Sequence, residues 1–299
     1  MPKRKAANPT GPRGKAYASA LEAICAERRC TAEELAEQHF LQVPLGTACK
    51  TLEPLRSCTE LRHLGLSGSV ALPSLEPLAE LKNLRTIWLR CRRGESLEPL
   101  SRVPHLDSLR LSGALIPGLS EVHRDLRSLF LDAKVTDLSP ILGLTGLREL
   151  QVGGAFGDLG DEPFPALPKL ERLRVFLRLR DLRPLSHLSG LQYLEARLNS
   201  KLASLEGAKA LTSLRHLHVG STRISDLEPL RGLPLEELDA GATKVSSIEP
   251  LLHNPQLRRV NLNGAPLKRG ERARLKAHLE TQGGELAALT ELPSFWSGI

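Results

Sequence analysis

Leucines recur along the chain in a fixed frame, LxxLxL, in which isoleucine, valine or alanine replaces some of the leucines. The ten segments follow one another at steps of about 20 to 23 residues and begin at Leu61, Leu84, Leu106, Leu126, Leu147, Leu170, Leu191, Leu214, Leu235 and Leu257. Alternation within the frame predicts a short β-strand with one apolar face. The constant period predicts a solenoid, because each repeat can bury its leucines only by stacking on its neighbours.

A second pattern fills the other half of each repeat, as in SLEPL at 74–78 and 96–100, DLRPL at 181–185 and DLEPL at 226–230. The leading serine or aspartate supplies a capping oxygen, and proline occupies a position where a backbone N–H would lack a partner. Too few residues remain before the next strand for a long helix. We therefore predict 3₁₀ or one-to-two-turn helices on the opposite side of the solenoid.

Together these patterns, over about residues 52–267, resemble the class of leucine-rich repeats of about 22 residues found in bacterial internalins and in protein-phosphatase regulatory subunits. The stretch RISDLEP at 223–229 is the best match. The resemblance implies an α/β leucine-rich repeat solenoid with a curved parallel β-sheet on the concave face and short turns on the convex face. The asparagine that the family places in the turn appears only as Asn199, so we expect its hydrogen-bond ladder to be mostly absent.

The two ends of the chain lack the repeat and are expected to close the solenoid. We predict a basic, disordered tail over 1–16 and a helical N-terminal cap over 17–51, with a capping box formed by Thr31 and Glu34. Residues 268–299 are expected to form a C-terminal cap and tail, with a helix at 274–279 and a strand at 283–286. Phe295 and Trp296 are expected to fold back on this cap, and a docking peptide is the alternative.

Composition and charge narrow the class of protein. The chain has 299 residues, of which 62 are leucines, and the net charge of +7 arises mostly from residues 1–17 and 268–276. The near-neutral body argues against a nucleic-acid groove, although the basic tail could still touch nucleic acid. No apolar run is long enough for a membrane span, and five cysteines without CxxC spacing do not suggest a disulfide framework. We expect a cytoplasmic monomer, and arginine in excess over lysine suggests a bacterial source.

The variable positions of LxxLxL should form columns on the concave face, about 4.8 Å apart from strand to strand. One neighbourhood, the Trp88 cluster, groups two aromatic residues that are predicted to face solvent with charged ones: Trp88, Arg90, Arg110, Phe130 and Asp132. Exposed tryptophan and arginine are typical of protein-binding hot spots. The alternative is that these side chains merely lie on their neighbours.

A second neighbourhood, the histidine cluster, contains Tyr193, Glu195, His216, His218, Glu237 and Asp239. Alternating carboxylates and imidazoles predict an acidic, pH-sensitive binding patch, because a flanking carboxylate raises the pKa of a histidine. Zinc is a weaker alternative, since no motif of fixed spacing supports it. Arg174 and Phe176 lie between the two clusters and complete the expected contact surface.

We find no catalytic motif and expect no cofactor and no metal. The sequence thus predicts a non-enzymatic module that binds another protein through the concave face. An inhibitor or immunity-type protein for a toxin or enzyme and a scaffold in signalling are two forms of this function that the sequence does not separate. A metal-dependent enzyme built on His216 and His218 is the alternative from another class.

Overall fold

The computed structural model describes residues 25, 31–45, 51–68, 74–91, 96–113, 119, 125–133, 138–153 and 162–286. In these residues twelve strands form one parallel sheet in which each strand pairs with the next along the chain. The strands are β1 Phe40–Leu45, β2 His63–Gly68, β3 Thr86–Cys91, β4 Ser108–Gly113, β5 Ser128–Ala133, β6 Glu149–Val152, β7 Arg172–Val175, β8 Tyr193–Glu195, β9 His216–His218, β10 Glu237–Asp239, β11 Arg259–Asn261 and β12 Glu285–Leu286. The ten strands predicted from LxxLxL are confirmed as β2 to β11.

The core is a stack of leucines from successive repeats. The middle leucine of each frame pairs in register with its counterpart on the next strand, as in Leu194 with Leu217 and Leu217 with Leu238. These three side chains are fully buried. Burial of one leucine side chain stabilises the fold by about 1.5 to 3 kcal/mol, because its apolar surface leaves water. The stack is therefore the main source of stability.

Short 3₁₀ helices line the convex side, as predicted. They span Glu53–Ser57, Glu76–Glu80, Glu98–Arg102, Ser139–Ile141, Arg183–Leu185, Ala208–Ala210, Glu228–Leu230 and Glu249–His253. Proline occupies the first turn of seven of these eight elements. The predicted capping oxygens accept a backbone N–H two residues on, as when Asp226 Oδ1 accepts from Glu228 N at 2.9 Å.

The N-terminal end differs from the sequence-based expectation. A short helix, α1 Ala32–Ala36, carries the expected capping box, in which Glu34 N donates to Thr31 Oγ1 at 3.1 Å. Residues 40–45, however, form strand β1 rather than part of a helix and extend the sheet beyond β2. The side chains of this segment alternate between the two faces of a strand, since Leu41 and Val43 are buried while Phe40 and Gln42 are exposed. Residues 1–16 lie outside the described residues.

At the C-terminal end helix α2, Glu271–Thr281, precedes strand β12, which pairs with β11. Leu275 and Leu279 of this helix are fully buried against the last repeats. The helix is longer than predicted, and Phe295 and Trp296 lie outside the described residues. Neither of these two helices is long and apolar enough to cross a lipid bilayer.

The strands differ in length between the two halves of the sheet. Strands β1 to β5 have six residues each, whereas β8 to β11 have three. After the short strands the chain enters the left-handed region at one equivalent position, with φ of 59° at Leu198, 59° at Ser221 and 53° at Ala242. Each of these residues donates its N–H to the next repeat, as Leu198 does to Gly220 O at 3.0 Å.

The sparse asparagine ladder has a substitute in these turns. Asn199 Nδ2 donates to Leu177 O in the preceding repeat at 2.6 Å. At the same position in the next two repeats, the hydroxyls of Thr222 and Thr243 donate to Val219 O and Ala240 O at 2.7 Å. Each threonine hydroxyl thus donates a hydrogen bond to a carbonyl of its own turn in place of the asparagine, and the turns stay regular.

The leucine stack predicts a sharp difference between two neighbouring leucines of one repeat. Leu144 is fully buried and Leu142 is 54% exposed. We expect Leu144→Ala to lower the free energy of unfolding by about 2 to 5 kcal/mol, because it leaves a cavity. Leu142→Ala, the matched control, should change it by less than about 0.5 kcal/mol. Urea denaturation measures both, and equal effects would contradict the packing described here.

Candidate functional site

The concave face presents the predicted columns in the predicted register. One column runs Gly65, Trp88, Arg110, Phe130, Gln151, Arg174, Glu195, His218, Asp239 and Asn261 along β2 to β11. The adjacent column runs His63, Thr86, Ser108, Ser128, Glu149, Arg172, Tyr193, His216, Glu237 and Arg259. The fold therefore brings together the side chains of each predicted cluster.

Around Trp88 the face forms a groove of about 240 Å³, here called the Trp88 groove. It is lined by Gln42, Gly65, Leu66, Ser67, Gly68, Trp88, Leu89, Arg90, Arg110 and Ser112. The indole is half-buried and lies over Gly65, where an added Cβ would come within 3.2 Å of the ring. Its ring centroid lies 5.6 Å from that of Phe40, which is 41% exposed.

Phe40 and Gln42 belong to this site but are absent from the sequence-based prediction. They lie on β1, which has no LxxLxL frame and was assigned to a helical cap. The only signal was the alternation of apolar and polar residues at 40–43, which is too short to separate a strand from a helix.

The prediction that Phe130 is exposed is wrong. Its side chain is only 3% exposed, and the guanidinium carbon of Arg110 lies 5.1 Å from the ring centroid. Arginine from the neighbouring strand covers the aromatic face, a favourable cation–π arrangement. Arg90, Arg110 and Asp132 are exposed, as predicted.

Strands β2 to β4 also hold polar atoms without internal partners. Within the part of the chain that the structure describes, no hydrogen-bond partner lies near the buried atoms Trp88 Nε1, His63 Nδ1 and Ser108 Oγ. Burial, together with the charge of Arg62, lowers the pKa of His63. Each unpaired buried group costs about 1 to 3 kcal/mol, and native structures concentrate such costs where a function needs them.

The histidine cluster is not an exposed patch. Tyr193, Glu195, His218, Glu237 and Asp239 are all 4% exposed or less. Four of these side chains and two arginines form a continuous chain of hydrogen bonds, here called the buried network: Arg174, Glu195, Tyr193, His218, Glu237 and Arg259. The predicted acidic surface is wrong because neighbouring strands supply arginine and histidine partners to these carboxylates.

The contacts along the buried network are 2.7 to 3.4 Å long. Arg174 Nε donates to Glu195 Oε2 at 2.7 Å, and Tyr193 OH donates to the same oxygen at 3.0 Å. His218 places Nδ1 at 3.4 Å from Tyr193 OH and Nε2 at 2.7 Å from Glu237 Oε1. Arg259 Nε donates to Glu237 Oε2 at 3.0 Å.

The environment shifts the pKa of two members in opposite directions. Burial and the nearby Glu195 carboxylate raise the pKa of the Tyr193 hydroxyl well above its usual range. Burial by itself would raise the pKa of Glu237. The nearby His216 imidazole and the hydrogen bonds from His218 and Arg259 outweigh this effect and hold the pKa far below its ordinary value of 4.5. Glu237 is therefore ionised and fixed in place at neutral pH.

Asp239 is held separately from the buried network. Its Oδ1 accepts from Gly241 N at 3.1 Å and from Asn261 Nδ2 at 2.8 Å, and Arg197 Nε lies 3.5 Å from Oδ2. An added Cβ at Gly220 would come within 3.2 Å of both carboxylate oxygens. Among the described residues no group of three or more histidine, cysteine or acidic side chains is arranged to hold a metal ion.

His216 and Phe176 occupy intermediate positions. His216 is half-buried, with Nδ1 at 3.9 Å from Glu237 Oε2. Phe176 is also half-buried and lies 6.0 Å from the Arg174 guanidinium carbon. Gly153, with φ of 155°, packs so closely on Phe176 that an added Cβ would meet the Phe176 Cβ at 2.3 Å.

The architecture defines the class of protein as a leucine-rich repeat solenoid, and the fold of a solved internalin agrees. An internalin (inlF) from Listeria monocytogenes str. 4b F2365 is similar with a TM-score of 0.59 and 23% identity, covering 86% of this chain and 85% of that chain. The ectodomain of the plant receptor kinase GASSHO1/SCHENGEN3 from Arabidopsis thaliana matches with a TM-score of 0.48 and 16% identity over 83% of this chain and 36% of that chain. At 23% identity the likeness to the internalin establishes the fold alone.

Comparison of the sequence with protein families and curated proteins identifies no related protein. No protein-family model matches the chain, and no curated protein matches it. The leucine-rich repeat assignment consequently depends on the repeat pattern, the parallel sheet and the structural likeness.

The low pKa of Glu237 predicts a stability that depends on pH. A folded-state pKa below the unfolded value of 4.5 stabilises the protein above that pH, and the stabilisation is lost as the pH falls below it. We expect Glu237→Gln to lower the free energy of unfolding at neutral pH by about 1.5 to 3 kcal/mol. The loss of stability on acidification should also become shallower than in the wild type.

Urea denaturation at about pH 7 and about pH 3 measures both effects. Glu236→Gln is the matched control, because Glu236 pairs with Arg215 at the surface and is 37% exposed. An exposed pair contributes less than about 1 kcal/mol. If the two variants behave alike, the buried network does not have the role described here.

Proposed function

We propose that the protein is a non-enzymatic interaction module that binds a partner protein through the concave face of the solenoid. The observation that carries the proposal is the Trp88 groove, where a half-exposed indole and two exposed arginines share one concave surface. Tryptophan and arginine are the residues that dominate the binding energy of protein interfaces. An inhibitor of a toxin or enzyme is one role that such a surface serves.

The two predicted clusters have different parts in this proposal. Trp88, Arg90, Arg110 and Asp132 contact the partner, because their side chains reach the surface. The buried network instead joins strands β7 to β11, outside the Trp88 groove, and stabilises the C-terminal half of the sheet.

The metal-dependent enzyme built on His216 and His218 receives less support. His218 is 1% exposed, and its two ring nitrogens already face Tyr193 and Glu237. A metal would have to displace these contacts. Binding is therefore the function that the geometry supports better.

The proposal predicts that Trp88 is necessary for capture of the partner. The immobilised protein would be used to retain binding proteins from a lysate, and the affinity of the retained protein would then be measured with purified variants. We expect Trp88→Ala to weaken binding at least about thirtyfold, the equivalent of a hot-spot contribution of about 2 kcal/mol. Circular dichroism would check that the variant is folded.

Leu198→Ala is the matched control. Leu198 is 72% exposed and lies in a turn of the C-terminal half, away from the Trp88 groove. Its truncation removes a similar apolar surface without touching the proposed site. Unchanged affinity for Trp88→Ala, or equal losses for the two variants, would refute the proposal.

A further inference from the structure

The arginines of the concave face fall into two groups that differ in their partners. In the C-terminal half, arginines pair with carboxylates of adjacent or nearby strands: Arg172 with Glu149, Arg174 with Glu195, Arg197 with Asp239 and Arg259 with Glu237. In the Trp88 groove, neither Arg90 nor Arg110 has a carboxylate within ion-pair distance in the described ranges. The positive charge of the groove is thus not neutralised by these residues.

The surroundings of the two arginines leave room for a second chain. Arg90 lies on β3 between Ser67 and Ser112 of the adjacent strands, and serine is small. The guanidinium carbon of Arg110 lies 5.1 Å from the centroid of the Phe130 ring, and the arginine side chain is exposed. A planar guanidinium is well suited to a carboxylate, with which it forms two parallel hydrogen bonds.

The same groove offers an apolar surface beside the charges. The rings of Phe40 and Trp88 are inclined at 59° to each other, and Phe40 is 41% exposed. An apolar side chain of the partner would remove this surface from water. The groove therefore matches a ligand that carries acidic and apolar groups close together.

We propose that the Trp88 groove binds an extended acidic segment of the partner protein, with its carboxylates on Arg90 and Arg110 and an apolar side chain on Phe40 and Trp88. This inference rests on the proposed function and names the chemistry of the partner. Charge complementarity supports the proposal. The guanidinium groups of Arg90 and Arg110 donate hydrogen bonds and accept none, so a ligand that pairs with them supplies acceptor oxygen atoms.

A nucleic acid would also supply acceptors, but the distribution of charge favours a peptide. Asp132 is exposed and lies on β5, two strands from Arg90. A phosphate backbone places one negative charge every few ångströms and would meet this carboxylate. A peptide can place its acidic residues only where the arginines are.

A display library of random peptides, selected against the full-length protein, tests the inference. We expect the wild type to enrich peptides with at least two acidic residues near an apolar one. A recovered peptide, synthesised, should bind Arg90→Glu/Arg110→Glu at least about tenfold more weakly, the effect of losing close charge pairs. A lysine-substituted version of the peptide should prefer this variant over the wild type.

Arg223→Glu/Lys244→Glu is the matched control. It makes the same change in net charge at two exposed residues of the C-terminal half, so its affinity for the peptide should equal that of the wild type. Recovery of peptides without acidic residues, recovery of none, or equal losses in both variants would overturn the inference. So would tighter binding of a single-stranded polyuridine RNA than of every recovered peptide.

The outcome separates this inference from the proposed function. If Trp88→Ala abolishes partner binding while Arg90→Glu/Arg110→Glu leaves it unchanged, the concave-face function stands and the acidic segment is wrong. If neither variant affects partner binding, both are wrong.

Discussion

The burial of leucines between successive repeats is the constraint on which the rest of the structure depends. A single repeat exposes most of its apolar side chains, so each must stack in register on the next. Register places the middle leucines of neighbouring strands opposite one another, from Leu64 on β2 to Leu238 on β10. Because a strand alternates its faces, the same register aligns the polar residues of the concave surface.

This dependence explains which features the sequence could predict. The position of a residue on the concave face follows from the repeat frame alone, and both columns appeared as predicted. Exposure does not follow from the frame, because it depends on how far the neighbouring side chains reach. Arg110 covers Phe130, and Arg174 and Arg259 reach the carboxylates of Glu195 and Glu237. A pattern of residue types contains no information about these rotamers.

The misassigned N-terminal strand has a different cause. Strand β1 is set by four alternating residues at 40–43, which a single sequence cannot distinguish from part of a helix. Its place at the end of the sheet depends on β2, which offers a free edge for hydrogen bonding. A contact of this kind, between an irregular segment and a regular one, is fixed by tertiary structure. Phe40 enters the candidate site only through that contact.

The buried network has a consequence for how the molecule comes apart. Its hydrogen bonds add to the leucine stacking between each pair of adjacent strands from β7 to β11. Opening any one of these five strands therefore breaks charged hydrogen bonds that hold its neighbours. The C-terminal half should open as one cooperative block, while repeats nearer the N-terminus can fray one at a time. The surface proposed to bind the partner thus lies in the half whose repeats open more easily, next to a half that resists opening.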